Sequence, residues 1–185
     1  MTRAFCLLLA FFASAVHADE TLWALLRQGG HVVLIRHAVT DPGVGDPPGF
    51  KLDDCATQRN LSTAGKLEAE RLGAVIKARG VPVARVFTSP WCRCRDTARI
   101  AFGGEAEVEP ALSNLFGYGQ NLDGQLAGFR RLVTAAPRKG NLLLVTHGST
   151  TLAFTGVSPG TAEMVIVTPE TDGKFRVAGR IPLSP

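Results

Sequence analysis

The stretch His31-Val32-Val33-Leu34-Ile35-Arg36-His37 decides the fold. Its apolar run is short, continuous and rich in β-branched residues, as expected of a strand buried on both faces. Such strands belong to parallel sheets covered by helices on either side. Arg36-His37 then stands at the C-terminal end of this strand, the edge where ligand crevices form in open α/β sheets.

Outward from that strand, apolar runs alternate with amphipathic segments, so the chain reads as successive β-α units. The segment 41–49 holds Pro42, Gly43, Gly45, Pro47, Pro48 and Gly49 and is expected to be loop. Ser62 is placed to cap a helix that buries Ala69, Leu72, Val75 and Ile76, turns Lys66, Glu70 and Lys77 outward, and stops at Gly80 and Pro82. Val83 to Thr88 is a second strand. Trp91 to Phe102 follows as a helix, with Pro90 in its first turn. Leu122, Leu126, Phe129, Leu132 and Val133 recur at helical spacing before Pro137. Asn141 to Thr146 is a third continuous apolar strand and delivers His147-Gly148 at its end. Met164 to Thr168 is a fourth, and Phe175 to Ile181 forms an edge strand after a turn at Asp172-Gly173.

The N-terminus has a different character. Met1-Thr2-Arg3, an apolar run from Ala4 to Val16, and Val16-His17-Ala18 together have the three-part layout of a secretory signal peptide over residues 1–18. The run is too short for a bilayer span of about 20 residues. Residues 19–185 then form one domain, periplasmic or secreted, with no stable membrane span after cleavage. Removing the leader takes away Arg3, so the formal net charge falls from +4 to +3. No Lys/Arg run accompanies that mild excess, and nucleic-acid binding is not indicated. Cys6 leaves with the leader. In an oxidising compartment Cys55 is expected to pair with Cys92 or Cys94.

Phosphoryl transfer needs charge stabilisation on the non-bridging oxygens and a nucleophile in line with the leaving group. Arg36 and Arg93 offer planar forks of donors to phosphate. His147 adds a third contact, which leaves His37 as the nucleophile, its attacking tautomer set by a hydrogen bond from its other ring nitrogen. The scheme needs no metal and no cofactor. Each of these residues taken singly is unremarkable, but Arg-His, Ser-Pro-x-x-Arg and Thr-His-Gly at three strand ends form a set.

That set resembles the histidine phosphatase superfamily, in its branch related to phosphoglycerate mutase. Leu34-Ile35-Arg36-His37-Ala38 is similar to the family's Arg-His-Gly signature with Ala for Gly. Thr88-Ser89-Pro90-Trp91-Cys92-Arg93 with Thr97-Ala98 is similar to its second arginine element. Val145-Thr146-His147-Gly148 is similar to its second histidine element, and Asn60-Leu61-Ser62-x-x-Gly65 to the opening of its first helix. The resemblance runs from about His31 to Val167. It implies a three-layer α/β/α sandwich with a mostly parallel central sheet, a phosphohistidine intermediate on His37, and phosphate contacts from Arg36, Arg93 and His147.

Two departures bear on function. Thr40 fits the family's continuation of the first signature as a substrate-binding residue, but Gly43 stands where the family has Asn. Where the family has a Glu or Asp proton donor before an aromatic-Gly pair, this chain reads Asn114-Leu115-Phe116-Gly117. General acid help is typically worth 10²–10⁴-fold. Another carboxylate then substitutes, the leaving group is already good, or phosphate is bound without turnover. Asp41, Asp46, Asp53, Asp54 and Glu163 are the candidate carboxylates, with Asp46 preferred because its loop follows His37, and Arg59 is a further candidate anion contact. The expected activity is an exported, metal-independent phosphatase for a small phosphorylated substrate, such as an envelope sugar phosphate. The alternative is a non-catalytic phosphate-ester binding module.

Overall fold

The computed structural model describes residues 20–116 and 121–183; the leader expected over 1–18, Cys6 within it, and Gly117 lie outside the described residues. Helix α1 covers 20–28. Strand β1 (Val32–Arg36) is followed by α2 (Thr63–Ala78), β2 (Val83–Thr88), α3 (Cys92–Phe102) and a two-residue strand β3 (Glu107–Val108). Then come α4 (Leu122–Thr134), β4 (Asn141–Thr146), α5 (Gly148–Thr155), β5 (Met164–Pro169) and β6 (Phe175–Ile181).

The strands form one sheet in the order β3-β2-β4-β1-β5-β6. β1, β2, β3 and β4 run parallel, while β5 is antiparallel to β1 and β6 antiparallel to β5. Successive side chains of β1 point to opposite faces and are buried on both. Val33 and Ile35 join Leu143, Met164 and Ile166 under α1, α2 and α3. Val32 and Leu34 join Leu144, Val165 and Val167 under α4 and α5. Each such side chain contributes about 1.5–3 kcal/mol by leaving water, which is why a run without polar alternation is stable only here. The chain is thus a three-layer α/β/α sandwich around a mostly parallel sheet.

Local signals act as their chemistry requires. Ser62 Oγ accepts from the Gly65 amide at 3.1 Å and caps α2. Gly65 is required by close approach, because a Cβ there would sit 1.9 Å from the Val39 carbonyl oxygen. α2 ends at Gly80, whose φ of 66° is left-handed. Some expectations shift. Pro90 precedes the helix rather than entering it, since Trp91 is the N-cap of α3. Leu122 is exposed, although Phe129, Leu132 and Val133 are buried as the spacing predicts.

Cys55 pairs with Cys92, leaving Cys94 as a buried free thiol. The bridge ties the loop between β1 and α2 to the first turn of α3, across a sequence separation of 37 residues. Gln58 adds to this tie by accepting from the Cys92 amide at 3.0 Å. Closing a loop of this length restricts the unfolded chain substantially. Replacing Cys55 and Cys92 together by Ser is expected to lower stability by about 2–4 kcal/mol, measured by urea unfolding of oxidised wild type and the double variant.

Candidate active site

Sheet order brings the three sequence elements together. β4 lies between β1 and β2, with Arg36 opposite Thr146 and Thr88 opposite Val145. The His37 amide continues the ladder to the Thr146 carbonyl at 2.9 Å, and the Ser89 amide reaches the Val145 carbonyl at 2.9 Å. His37, Ser89 and His147 therefore leave adjacent strands at one level, and the rings of His37 and His147 meet edge to face at 5.3 Å. A cavity of about 340 Å³ opens above them, lined by Arg36, His37, Arg59, Arg93, Asn114 and His147 among others.

His37 is 5% exposed. Its Nδ1 lies 2.8 Å from the Ala38 carbonyl oxygen. A carbonyl only accepts, so Nδ1 carries the proton and Nε2 keeps its lone pair on the opposite edge of the ring. Burial pushes the imidazole down to about 3. The Ala38 bond opposes this, and the charges of Arg93, Arg36 and Arg59 reinforce it. His37 is consequently neutral across the ordinary pH range. His147 is also driven well below the usual histidine value, by burial first and then by His37 and the three arginines. Its Nε2 lies 2.8 Å from Ser89 Oγ, and the Trp91 ring packs against it at 5.3 Å.

Both arginines are anchored but incompletely satisfied. Arg36 Nη1 donates to the Pro159 carbonyl at 2.9 Å, and its Nε is buried without a partner. Arg93 is 1% exposed, and its two terminal nitrogens donate to both oxygens of Asp46 at 2.7 and 3.2 Å. Its Nε too is buried without a partner. Buried donors of this kind carry a desolvation penalty unless a ligand completes them, and an oxyanion in the cavity is the chemistry they fit. The first turn of α5 begins at Gly148 and presents unpaired amide ends on the same side.

Asp46 has a different task from the proton donor the sequence suggested. Its Oδ1 accepts from Arg93 and from the Arg59 amide at 3.1 Å, and its Oδ2 accepts from Trp91 Nε1 at 3.0 Å. Burial pulls its carboxyl upward, but the Arg93 hydrogen bond and charge, with the Arg59 amide and Trp91, hold it below the usual range. It is an ionised partner that orients Arg93, and its side chain lies behind the cavity wall. The other candidate carboxylates are also committed or remote. Glu163 pairs with Arg180 and accepts from the Gly160 amide, Asp54 caps a 3₁₀ turn, and Asp41 and Asp53 are exposed loop residues.

Arg59 does line the cavity, with Nη1 donating to the Gly43 carbonyl at 2.6 Å. Thr40 does not line it, and its backbone is paired with Leu61. Sequence reasoning gave no role to Ser89, although it stood inside the second arginine element. Nor did it find Glu68, whose Oε2 accepts from the Val39 amide at 2.7 Å and whose Oε1 accepts from Thr161 Oγ1 at 2.8 Å. Only a fold reveals such pairings. Cys94, with Sγ 3.5 Å from His147 Nε2, is pushed up to about 12 by burial and is an inert thiol.

The α/β/α fold, with an Arg-His pair, a second arginine and a second histidine on three strand ends, is the arrangement of the histidine phosphatase fold. The chain belongs to the histidine phosphatase superfamily (branch 1), whose sequence profile matches residues 32–123. That match includes Arg36, His37 and Arg93 and stops short of His147. Among solved structures, the protein histidine phosphatase SixA complexed with tungstate is 19% identical, covering 82% of this chain and 96% of its own, at a TM-score of 0.62. A phosphohistidine phosphatase SixA, described as such on a provisional basis, from Agrobacterium tumefaciens is 19% identical over 85% of this chain and 99% of its own, at 0.54. The mycobacterial glucosyl-3-phosphoglycerate phosphatase is 17% identical over 85% and 100%, at 0.60. No curated protein matches the chain.

Asp46→Asn keeps the shape of the Arg93 partner but removes its charge. We expect kcat/KM to fall about 10–100-fold, and by the same factor on aryl and alkyl phosphates, since a misplaced clamp harms every substrate alike. Loss confined to alkyl phosphates would instead mark Asp46 as a proton donor.

Proposed function

We propose that the chain is a metal-independent phosphatase that hydrolyses phosphate esters in two steps through a phosphohistidine on His37. The observation that carries this reading is the hydrogen bond from His37 Nδ1 to Ala38, which leaves a neutral Nε2 in a residue that shares one cavity with Arg36 and Arg93, whose buried Nε groups lack partners. In the first step the Nε2 lone pair attacks phosphorus while Arg36, Arg93 and His147 hold the equatorial oxygens, and the bridging P–O bond breaks with its electron pair staying on the departing oxygen. In the second, water attacks the phosphorus of the phosphohistidine and the bonding pair returns to Nε2. Two structural neighbours, named as a protein histidine phosphatase and a glucosyl-3-phosphoglycerate phosphatase, support this reading while differing in what they are named for.

The reading includes export. The leader-like residues 1–18 support it, as does a Cys55–Cys92 disulfide of the kind retained in oxidising compartments. An exported phosphatase meets envelope components rather than cytosolic metabolites, and a phosphorylated sugar of the cell-surface polysaccharide is the substrate to try first. A phosphate-ester binding module is the second reading, favoured by the amide of Asn114 where a carboxyl would serve turnover.

Rapid acid-stable denaturation is unsuitable here, so the protein should be quenched in alkali after incubation with ³²P-labelled substrate. Wild type is expected to retain acid-labile, alkali-stable label that His37→Ala lacks, with a matching loss of hydrolysis of at least about 10³-fold. Equal hydrolysis by both proteins would end the phosphohistidine reading. Binding measured by calorimetry without turnover on any phosphate compound would establish the binding module.

A further inference from the structure

The arginine clamp accounts for the phosphoryl group, while another wall of the same cavity bears on what that group leaves. Asn114, Phe116 and Ser149 contribute to this wall. Asn114 is 5% exposed, and its Oδ1 is filled by two donors, the Phe116 amide at 3.1 Å and Ser149 Oγ at 2.8 Å. An amide held this way by its oxygen has Nδ2 left to offer, a donor with no proton to transfer at neutral pH. Ser149 has directed its single hydroxyl proton to Asn114.

Among the described residues that line this cavity, no carboxylic acid stands beside Asn114. Among the described residues that line it there are three arginines and two histidines but no Asp or Glu. Asp46 and Glu163 are both engaged by arginines. The described wall can therefore stabilise a departing anion by hydrogen bonding and charge, through Asn114 and Arg59, but its described residues include no carboxylic acid with which to neutralise it. An alkoxide is too basic to leave readily on those terms, and the missing proton transfer is worth about 10²–10⁴-fold. A phosphate, carboxylate or phenolate is weakly basic and departs as the anion it already prefers to be.

We propose that Asn114 and Arg59 form a leaving-group site for weakly basic anions, and that the substrate carries its phosphoryl group on such a leaving group, as a phosphoanhydride, acyl phosphate or aryl phosphate does. The proposal rests on the His37 reading and narrows it. As the N–P bond forms at Nε2, the bridging P–O bond breaks and its electron pair stays on the bridging oxygen, which leaves unprotonated against Asn114 Nδ2 and the Arg59 guanidinium. Water then forms the new P–O bond, the pair of the N–P bond returns to Nε2, and both protons of the water stay with the released phosphate. Within the envelope this points to anhydride-linked phosphate ahead of simple sugar monoesters. Phe116 and Val44, exposed apolar residues at the cavity, suit a non-polar portion beyond the leaving atom.

The test is kcat/KM for wild type and Asn114→Asp across aryl phosphates of graded phenol acidity, inorganic pyrophosphate, acetyl phosphate and glycerol 3-phosphate. For wild type, the rate should fall steeply with leaving-group basicity, with glycerol 3-phosphate at least about 10²-fold below the activated compounds. The best arm among pyrophosphate, acetyl phosphate and the aryl series names the source of the leaving group. In Asn114→Asp the carboxyl keeps the acceptor for Phe116 and Ser149 and places an acidic oxygen where Nδ2 stood. The ratio of alkyl to aryl kcat/KM should rise about 10²-fold, and the alkyl rate should acquire a decline at high pH as the new acid ionises. A wild-type alkyl rate within about 10-fold of the aryl rates would overturn the proposal, as would a ratio and pH profile unmoved in a folded Asn114→Asp. The wild-type series decides the matter if that variant fails to fold. Absence of His37 label from every compound would instead refute the phosphohistidine reading on which the proposal stands.

Discussion

The hydrogen bond from His37 Nδ1 to the Ala38 carbonyl, 2.8 Å long, is the constraint on which the site depends. It fixes which ring nitrogen keeps its lone pair, and the chain just after β1 is pinned to keep that carbonyl in place. The Ala38 amide donates to Thr97 Oγ1 at 3.1 Å, Thr97 Oγ1 donates to the Arg93 carbonyl at 2.7 Å, and the Val39 amide donates to Glu68. His37 and Arg93 are thus positioned by one connected network. Keeping His37 neutral has a stability consequence. Because its folded value lies at about 3 against 6.5 for the unfolded chain, the unfolded state binds more protons in that window, and stability is lost as pH falls from about 6.5 towards 3.

The electrostatics of the clamp are arranged around a second buried contact. Two oxygens of Asp46 face two nitrogens of Arg93, both side chains being essentially inaccessible. Such pairs contribute little net stability but are destructive when halved, and they specify geometry. Here the specified geometry is the direction of an arginine fork, with the remaining Nε buried and unsatisfied in a side chain that lines the cavity. The loop bearing Asp46 is itself secured by the Cys55–Cys92 bridge and by Gln58 on the Cys92 amide. A segment that would be mobile on composition alone becomes a fixed part of the wall.

Strands and site ends were legible where burial imposes a pattern that no other structure tolerates. β1 and β4 are continuous apolar runs because the sheet is covered on both faces, and α2 announces itself through Ser62, its apolar face and Gly80. α5 was not legible. Gly148–Thr155 is threonine-rich, and it is stabilised by packing of Phe154 and Thr151 rather than by an amphipathic stripe. β3 has only two residues and exists through pairing with β2. That Arg36, His37, Arg93 and His147 would meet in one cavity could be read because each ends a strand or opens the following helix. Asp46 could not be read correctly, because proximity to His37 in sequence says nothing of whether a carboxylate faces the cavity or the back of an arginine. Thr40 is not among the residues that line the cavity, and its backbone pairing with Leu61 is not disclosed by sequence spacing.

The account stands on His37 being a neutral Nδ1–H imidazole with a free lone pair on Nε2. ¹⁵N NMR of the protein labelled at histidine nitrogens, followed from pH 8 to pH 4, tests this directly. The account predicts that His37 holds the Nδ1–H neutral tautomer throughout, with protonation deferred towards pH of about 3. An imidazolium at His37 by pH 5, or an Nε2–H tautomer at any pH in the range, would contradict it.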